Sequence, residues 1–232
     1  MIGYAKNYGA QWGIPQGYHH RQIYQYFKHL PKFNGNPKKL TVYDTASDEG
    51  FVYKEIPHFP NGVKLRGFWQ SYKYFDHVKE DVLRAWNFRP MPEFQEYTSL
   101  HVRRTDYLTY SDSFGAISHE YIKQAIDYIQ PKKILCFSDD LFWCKQNLPK
   151  NFPDVEWHFE SEAQNEYEAL SQMSSCGNNI IANSSFSWVA AYANKKQDRK
   201  IVTPHSTSWF GPKAKLDTKD LLPPEWHQIK FR

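Results

Sequence analysis

Ser118-His119-Glu120-Tyr121-Ile122-Lys123-Gln124-Ala125-Ile126-Asp127-Tyr128-Ile129, followed after a short Pro-containing break by Ile134-Leu135-Cys136-Phe137, decides the fold class. Tyr121, Ile122, Ala125, Ile126 and Ile129 recur at helical spacing, and Ser118 stands ahead of them as an N-cap candidate. The four apolar residues after the break have no polar alternation, which suits a strand covered on both faces. Working outward, the same alternation repeats. Residues 96–103 read as a strand, Asp140 to Leu148 as a helix stopped by Pro149, and residues 155–159 as a strand. Asn165 to Cys176 reads as a helix ended by Gly177, residues 179–182 as a strand, Ser184 to Asn194 as a Ser-capped helix, and residues 199–202 as a strand. Strands separated by helices of this length imply βαβ units and a parallel sheet, hence an α/β fold.

The first part of the chain is less regular. Asn34-Gly35-Asn36-Pro37 and Pro57-His58-Phe59-Pro60-Asn61-Gly62 are turn chemistry. Residues 64–69 suggest a short strand. Tyr74 to Trp86 has helix-like spacing, and Arg89-Pro90-Met91-Pro92 breaks the chain as a linker would. Two domains are expected, residues 1–92 and 93–232, with the second carrying the parallel sheet.

Composition narrows the function. The 232 residues carry 29 Lys and Arg against 25 Asp and Glu, a net charge of +4. The basic residues are dispersed, with no clustered face of the kind that binds nucleic acid; a phosphorylated small ligand is the better match. Aromatic residues make up 17%, enough for a packed core and for rings that stack on sugars. Three cysteines without a CxxC spacing support neither a disulfide framework nor a zinc ribbon. No apolar run is long enough to span a membrane and no signal pattern opens the chain, so a cytoplasmic location is expected.

In parallel α/β sheets ligands bind beyond the carboxyl ends of the strands, so those ends hold the candidate site. The first strand runs out in His101-Val102-Arg103-Arg104-Thr105-Asp106-Tyr107. Alternation puts His101 and Arg103 on one side. A guanidinium is permanently charged and can grip two phosphate oxygens at once, which makes Arg103 a diphosphate anchor. Asp106 is expected to hold Arg104; the same residues also suit a plain ion pair at a sheet edge. The next strand ends in Phe137-Ser138-Asp139-Asp140. A carboxylate can accept from the N1 and N2 protons of guanine, so Asp139 is the candidate base reader and Asp140 a helix cap, although both suit caps. Later, Asn183-Ser184-Ser185-Phe186-Ser187 leads into a helix whose free N–H groups would favour phosphate beside Ser184 and Ser185. Ordinary capping would use the same serines. No Asp-x-Asp pair occurs and His19-His20 lacks partners at metal spacing, so neither a metal nor a cofactor is expected.

Together these stretches resemble the α-1,2-fucosyltransferase family, glycosyltransferase family 11, and more distantly α-1,6- and protein O-fucosyltransferases. The resemblance rests on residues 99–107, on residues 137–140 with Trp143-Cys144, and on residues 179–188. Weaker support comes from residues 65–75 and the tail Leu221-Leu222-Pro223-Pro224-Glu225-Trp226. It implies a GT-B-like fold of two Rossmann-like domains, the N-terminal one incomplete, and an inverting, metal-independent transfer of fucose from GDP-fucose to a galactoside-type glycan acceptor. Arg103 would stabilise the departing diphosphate. His101, Arg103, Arg104, Asp106, Asp139, Ser184, Ser185 and Phe186 would line the donor site, with His101 on the nucleotide and Ser184, Ser185 and Phe186 beside the diphosphate. No general base is implied; Asp106, Glu55 and His58 are the candidates by residue type. Family members usually begin with a strand and a Gly-rich loop that lead into a first helix, whereas Met1 to Gly9 matches only the latter part of that helix. The alternative expectation is therefore a nucleotide-sugar or glycan binding protein derived from such an enzyme and impaired by truncation.

Overall fold

The computed structural model describes residues 1–15, 29–44, 51–160 and 165–231. His19-His20 lies outside them. By contacts the chain forms two compact units, residues 1–87 with 216–223, and residues 88–215 with 224–232. Residues 216–223, expected with the C-terminal domain, thus group with the first unit.

In the first unit α1 (Ile2–Tyr8) is followed by β1 (Ile14–Pro15) and β2 (Lys32–Phe33), a parallel pair. Next come β3 (Thr41–Asp44) and β4 (Val63–Arg66), a second parallel pair, and α2 (Lys79–Trp86). The expected strand at 64–69 ends at Arg66 because Gly67 and Trp69 take positive φ, 148° and 52°. The expected helix from Tyr74 begins only at Lys79; before it the chain makes two 3-10 turns, Tyr72–Tyr74 and Asp76–Val78. Asn87 closes α2 in the left-handed conformation.

The second unit runs β5 (Thr98–Val102), α3 (Thr105–Thr109), α4 (His119–Ile129), β6 (Lys133–Ser138), α5 (Leu141–Asn151) and β7 (Glu156–Phe159). It continues with α6 (Glu166–Ser175), β8 (Asn178–Ile180), α7 (Ser185–Ala193), β9 (Ile201–Pro204) and β10 (His227–Ile229). All six strands are parallel, in the order β10-β9-β8-β5-β6-β7. Numbered from β5 and read from the β7 edge, that is three-two-one-four-five-six, a doubly wound order whose direction reverses between β5 and β8. The expected α/β class is therefore what the chain adopts.

Local sequence explains these elements. Ser118 Oγ accepts from the Tyr121 N–H at 3.1 Å, capping α4. Tyr121, Ile122, Ala125 and Ile129 face inward, and Gln130 ends the helix with φ 56°. Every residue of β5 is buried, as a central strand requires. Leu100 and Val102 pack with α4 and with Cys144 and Leu148 of α5 on one face of the sheet. On the other face α6 and α7 pack together. Each fully buried Leu or Ile here stabilises the unit by about 1.5–3 kcal/mol. Gly177 lets β8 come in beside β5. Its N–H donates to Tyr97 O at 2.8 Å, and a Cβ there would lie 2.4 Å from Gln95 O.

One expected boundary fails. Pro149 does not stop α5, which runs to Asn151; the Phe152 N–H still reaches Leu148 O at 3.0 Å. Proline costs a helix one hydrogen bond and a clash with the preceding turn, and at the last turn little helix remains to be disrupted. The three cysteines are unbridged and buried. Among the described residues no helix is long and apolar enough to cross a membrane.

Candidate functional site

The sheet order puts the β5 and β8 carboxyl ends side by side at the reversal point, the position where doubly wound sheets bind their ligands. The segments that follow those strands are 103–107 and 181–187, which hold most of the residues singled out in the sequence.

Arg103 lies just past β5 with its side chain 36% exposed. Its Nε donates to Asp106 Oδ1 at 2.9 Å and lies 3.3 Å from Asp139 Oδ2. The guanidinium carbon sits 5.8 Å from the centre of the Tyr107 ring. Tyr107 in turn donates to Asn183 O at 2.8 Å, and the Ser184 hydroxyl bears on the same phenol. Arg103 and the start of α7 are thus joined through one tyrosine. Ser184 caps α7, its Oγ accepting from the Phe186 N–H at 3.3 Å.

His101 is buried beneath this surface. Its Nδ1 is 2.9 Å from Ser187 Oγ, and its ring centre is 5.6 Å from that of Phe186. Burial pushes its pKa down to about 4, against the attraction of Asp139 and with the repulsion of Arg103. The imidazole is therefore neutral at pH 7.

The expected pairing of Asp106 with Arg104 does not form. Asp106 pairs with Arg103, which keeps its carboxyl below the usual carboxylate range. Arg104 is held by Asp140, Nε to Oδ2 at 3.1 Å, and its guanidinium carbon lies 3.6 Å from the Trp143 ring centre. Asp140 also caps α5 as expected, accepting from the Trp143 N–H at 3.1 Å. Asp139 spends its carboxylate on the turn after β5. Oδ1 accepts from the Arg104 N–H at 2.9 Å, and Oδ2 accepts from the Thr105 N–H at 3.1 Å and from the Thr105 hydroxyl. A carboxylate offers about four lone-pair sites, and these donors with Arg103 occupy them.

Sequence reasoning missed Thr105, Tyr107, Trp143 and Ser187 as members of the cluster. Two left a readable signal. Trp143 stands three residues after a cap Asp, and Ser187 stands three after a cap Ser, so each shares the first turn of its helix with the cap. Asn183 stands immediately before the cap residue Ser184. Its Nδ2 reaches the carbonyls of Phe114, Gly115 and Trp209 at 2.8 to 3.2 Å, which pins the corner before α7. Among the described residues no group of three or more His, Cys, Asp or Glu side chains is arranged to hold a metal ion.

The family model for glycosyl transferase family 11 matches residues 24–230. The O-antigen biosynthesis glycosyltransferase WbnK of Escherichia coli is 38% identical over 147 residues, 57% of this chain and 47% of WbnK. The alpha-1,2-colitosyltransferase of Escherichia coli is 28% identical over 214 residues, 85% of this chain and 73% of that protein. Human galactoside alpha-(1,2)-fucosyltransferase 1 is 23% identical over 67% of this chain and 48% of its own length. The chain thus spans about half the length of WbnK and of the human protein. POFUT1 crystallised with GDP aligns with a TM-score of 0.41 at 14% identity, over 62% of this chain and 56% of that one, a likeness too distant to carry an argument about the site. The extent of the family match settles kinship: this chain belongs to glycosyl transferase family 11.

Proposed function

We propose that the chain transfers fucose, or a closely related deoxyhexose, from its GDP conjugate to a galactoside-type glycan, inverting the anomeric centre without a metal. The observation that carries the proposal is that Tyr107 links Arg103 to the corner before α7 at the strand-order reversal. A guanidinium and the first turn of a helix both favour a bound diphosphate. As the bond from the sugar C1 to the phosphate oxygen breaks, negative charge grows on that oxygen. Fixed positive charge already aimed there lowers the barrier with no reorganisation. Names borne by relatives, an α-1,2-fucosyltransferase and an α-1,2-colitosyltransferase, support a deoxyhexose donor.

In this reading Arg103 grips the β-phosphate, and Ser184, Ser185 and Phe186 offer the first turn of α7. His101, neutral and fixed by Ser187, borders the nucleotide. Arg104, Asp106, Asp139 and Asp140 shape the turn that presents Arg103. Asp106 is a poor base, because Arg103 keeps it ionised with low proton affinity. The unbridged thiols suit a reducing, cytoplasmic setting.

The test is GDP release from GDP-fucose on addition of galactosides, with and without EDTA. Acceptor-dependent release insensitive to EDTA is expected. Calorimetric GDP binding with no release would instead identify a donor-binding protein without transfer. Absence of GDP binding would overturn the assignment of the site.

A further inference from the structure

The first unit holds a small polar hollow of about 60 Å³, lined among others by Asn7 and Tyr8 of α1, Tyr53, Glu55, Tyr74 and His77. Its walls are fixed by tyrosine hydroxyls tied to backbone. Tyr8 donates to Ile56 O at 2.9 Å, and Tyr74 donates to Val52 O at 3.2 Å while accepting from the Lys54 N–H at 3.1 Å. Tyr4, from the same helix as Tyr8, accepts from the Phe59 N–H at 3.0 Å. Residues 52–59 are thereby lashed to α1 and to the turn at Tyr74. Gly3 allows α1 to lie directly on that turn, since a Cβ there would fall 2.2 Å from Tyr74 O. At the far end of the segment the Tyr53 N–H donates to Asp220 Oδ2 at 2.9 Å, and Lys73 pairs with Asp220 at 2.6 Å.

These ties leave aromatic faces and one carboxylate at the hollow. The Tyr53 and Tyr74 rings meet at 5.0 Å. Tyr8 and Glu55 line the same hollow, and the Tyr8 phenol is held above its ordinary pKa by burial and then by the negative charge of Glu55. Among the described residues no lysine or arginine lines the space, which argues against a phosphate or nucleotide. About four water-sized sites fit in it, enough for one hydroxylated edge of a sugar ring and not for a whole ligand. Asn7 can both donate and accept, as each sugar hydroxyl does, whereas a cation would call for acceptors and ring faces alone.

We infer that this hollow is a binding subsite for a neutral sugar, in which Glu55 accepts two hydroxyl protons, Asn7 and His77 flank them, and Tyr53 packs against the ring. The preorganised walls keep the ordering cost of binding low. Its service as the acceptor subsite rests on the transfer reading above; its binding of a sugar does not.

The experiment is saturation-transfer NMR on the full chain with methyl β-galactoside, and separately with choline as a cation probe. GDP binding is measured on the same samples. Transfer to the glycoside is expected, with affinity about tenfold weaker in Glu55→Gln, the loss typical of a hydrogen bond to a charged group, and weaker again in Tyr53→Ala. GDP binding should not change in either variant. A wild-type chain that binds GDP yet shows no transfer to the glycoside overturns the inference. So does transfer unaltered in both variants, or saturation of choline alone. Loss of GDP binding with glycoside transfer intact would sink the nucleotide site and leave this one standing.

Discussion

Arg103 Nε and Asp139 Oδ2 lie 3.3 Å apart, although one residue follows β5 and the other follows β6. The neighbouring strand ends are thus stitched by charge at the edge of the proposed diphosphate site. Arg103 also keeps its contact with Asp106, so its aim is fixed from two sides before any ligand arrives. Such preorganisation is what makes a donor effective toward developing charge. Arg103→Ala should therefore lower kcat by about 10²–10³, as measured by GDP release under saturating donor. Arg103→Lys should recover little, because an ammonium cannot hold two carboxylates and a phosphate in the same plane. Full activity in Arg103→Lys would show that charge alone suffices.

Asp139 offers a sharper test, because two roles make opposite demands. A base reader must leave its oxygens open to guanine, yet here they accept from the Arg104 N–H, the Thr105 N–H and the Thr105 hydroxyl. If Asp139 holds the turn, Asp139→Asn places an amide donor against backbone donors and loosens the Arg103 mount. The expected result is a fall in kcat of about 10-fold or more, equivalent to one lost charged hydrogen bond, with the preference for GDP over UDP unchanged in competition assays. A collapse of that preference at nearly constant kcat would restore the base-reading role.

Much of this was legible in the residues, for identifiable reasons. The helix over Ser118–Ile129 and the strand at Ile134–Phe137 follow from local periodicity and capping, which need no partner. Arg103 and Ser184 as candidate phosphate ligands follow from a rule about strand ends. The pairing of carboxylates with arginines was not legible. Asp106 and Asp140 are equally able to reach a guanidinium, and only the closeness of β5 and β6 decides that Asp140 takes Arg104 and Asp106 takes Arg103. The short strand β10 was missed because His227, Gln228 and Ile229 carry no strand pattern and pair only with β9. The buried network that joins Asn179 to Ser99 and Asn194 was equally invisible, since the three residues are scattered along the chain.

His101 makes stability pH-dependent in a direction that its burial fixes. Its pKa is about 4 in the folded chain against an ordinary 6.5. Between those values the unfolded chain binds a proton that the native chain refuses, so stability falls as pH drops through that window. The effect should amount to about 2 kcal/mol between pH 7 and pH 5. Urea melts of the wild type and of His101→Gln, which keeps a hydrogen-bonding group near Ser187, should differ in slope against pH. The wild type should lose more stability over this range. Identical slopes would mean that the imidazole titrates at its ordinary value and is reached by water.

Arg104 and Trp143 form a stacked pair whose loss should act on the site at a distance. The guanidinium lies over the indole at 3.6 Å and is 16% exposed, with Asp140 closing the third side. A partly desolvated cation–π contact of this kind is worth about 1–2 kcal/mol. Because the Arg104 N–H and the neighbouring Thr105 both bind Asp139, a free Arg104 would slacken the turn that carries Arg103. Trp143→Phe keeps an aromatic face and should cost less than a few-fold in kcat. Trp143→Ala should cost about tenfold in kcat. Equal activity of the Phe and Ala variants, measured at matched folded fractions, would reduce the pair to packing alone.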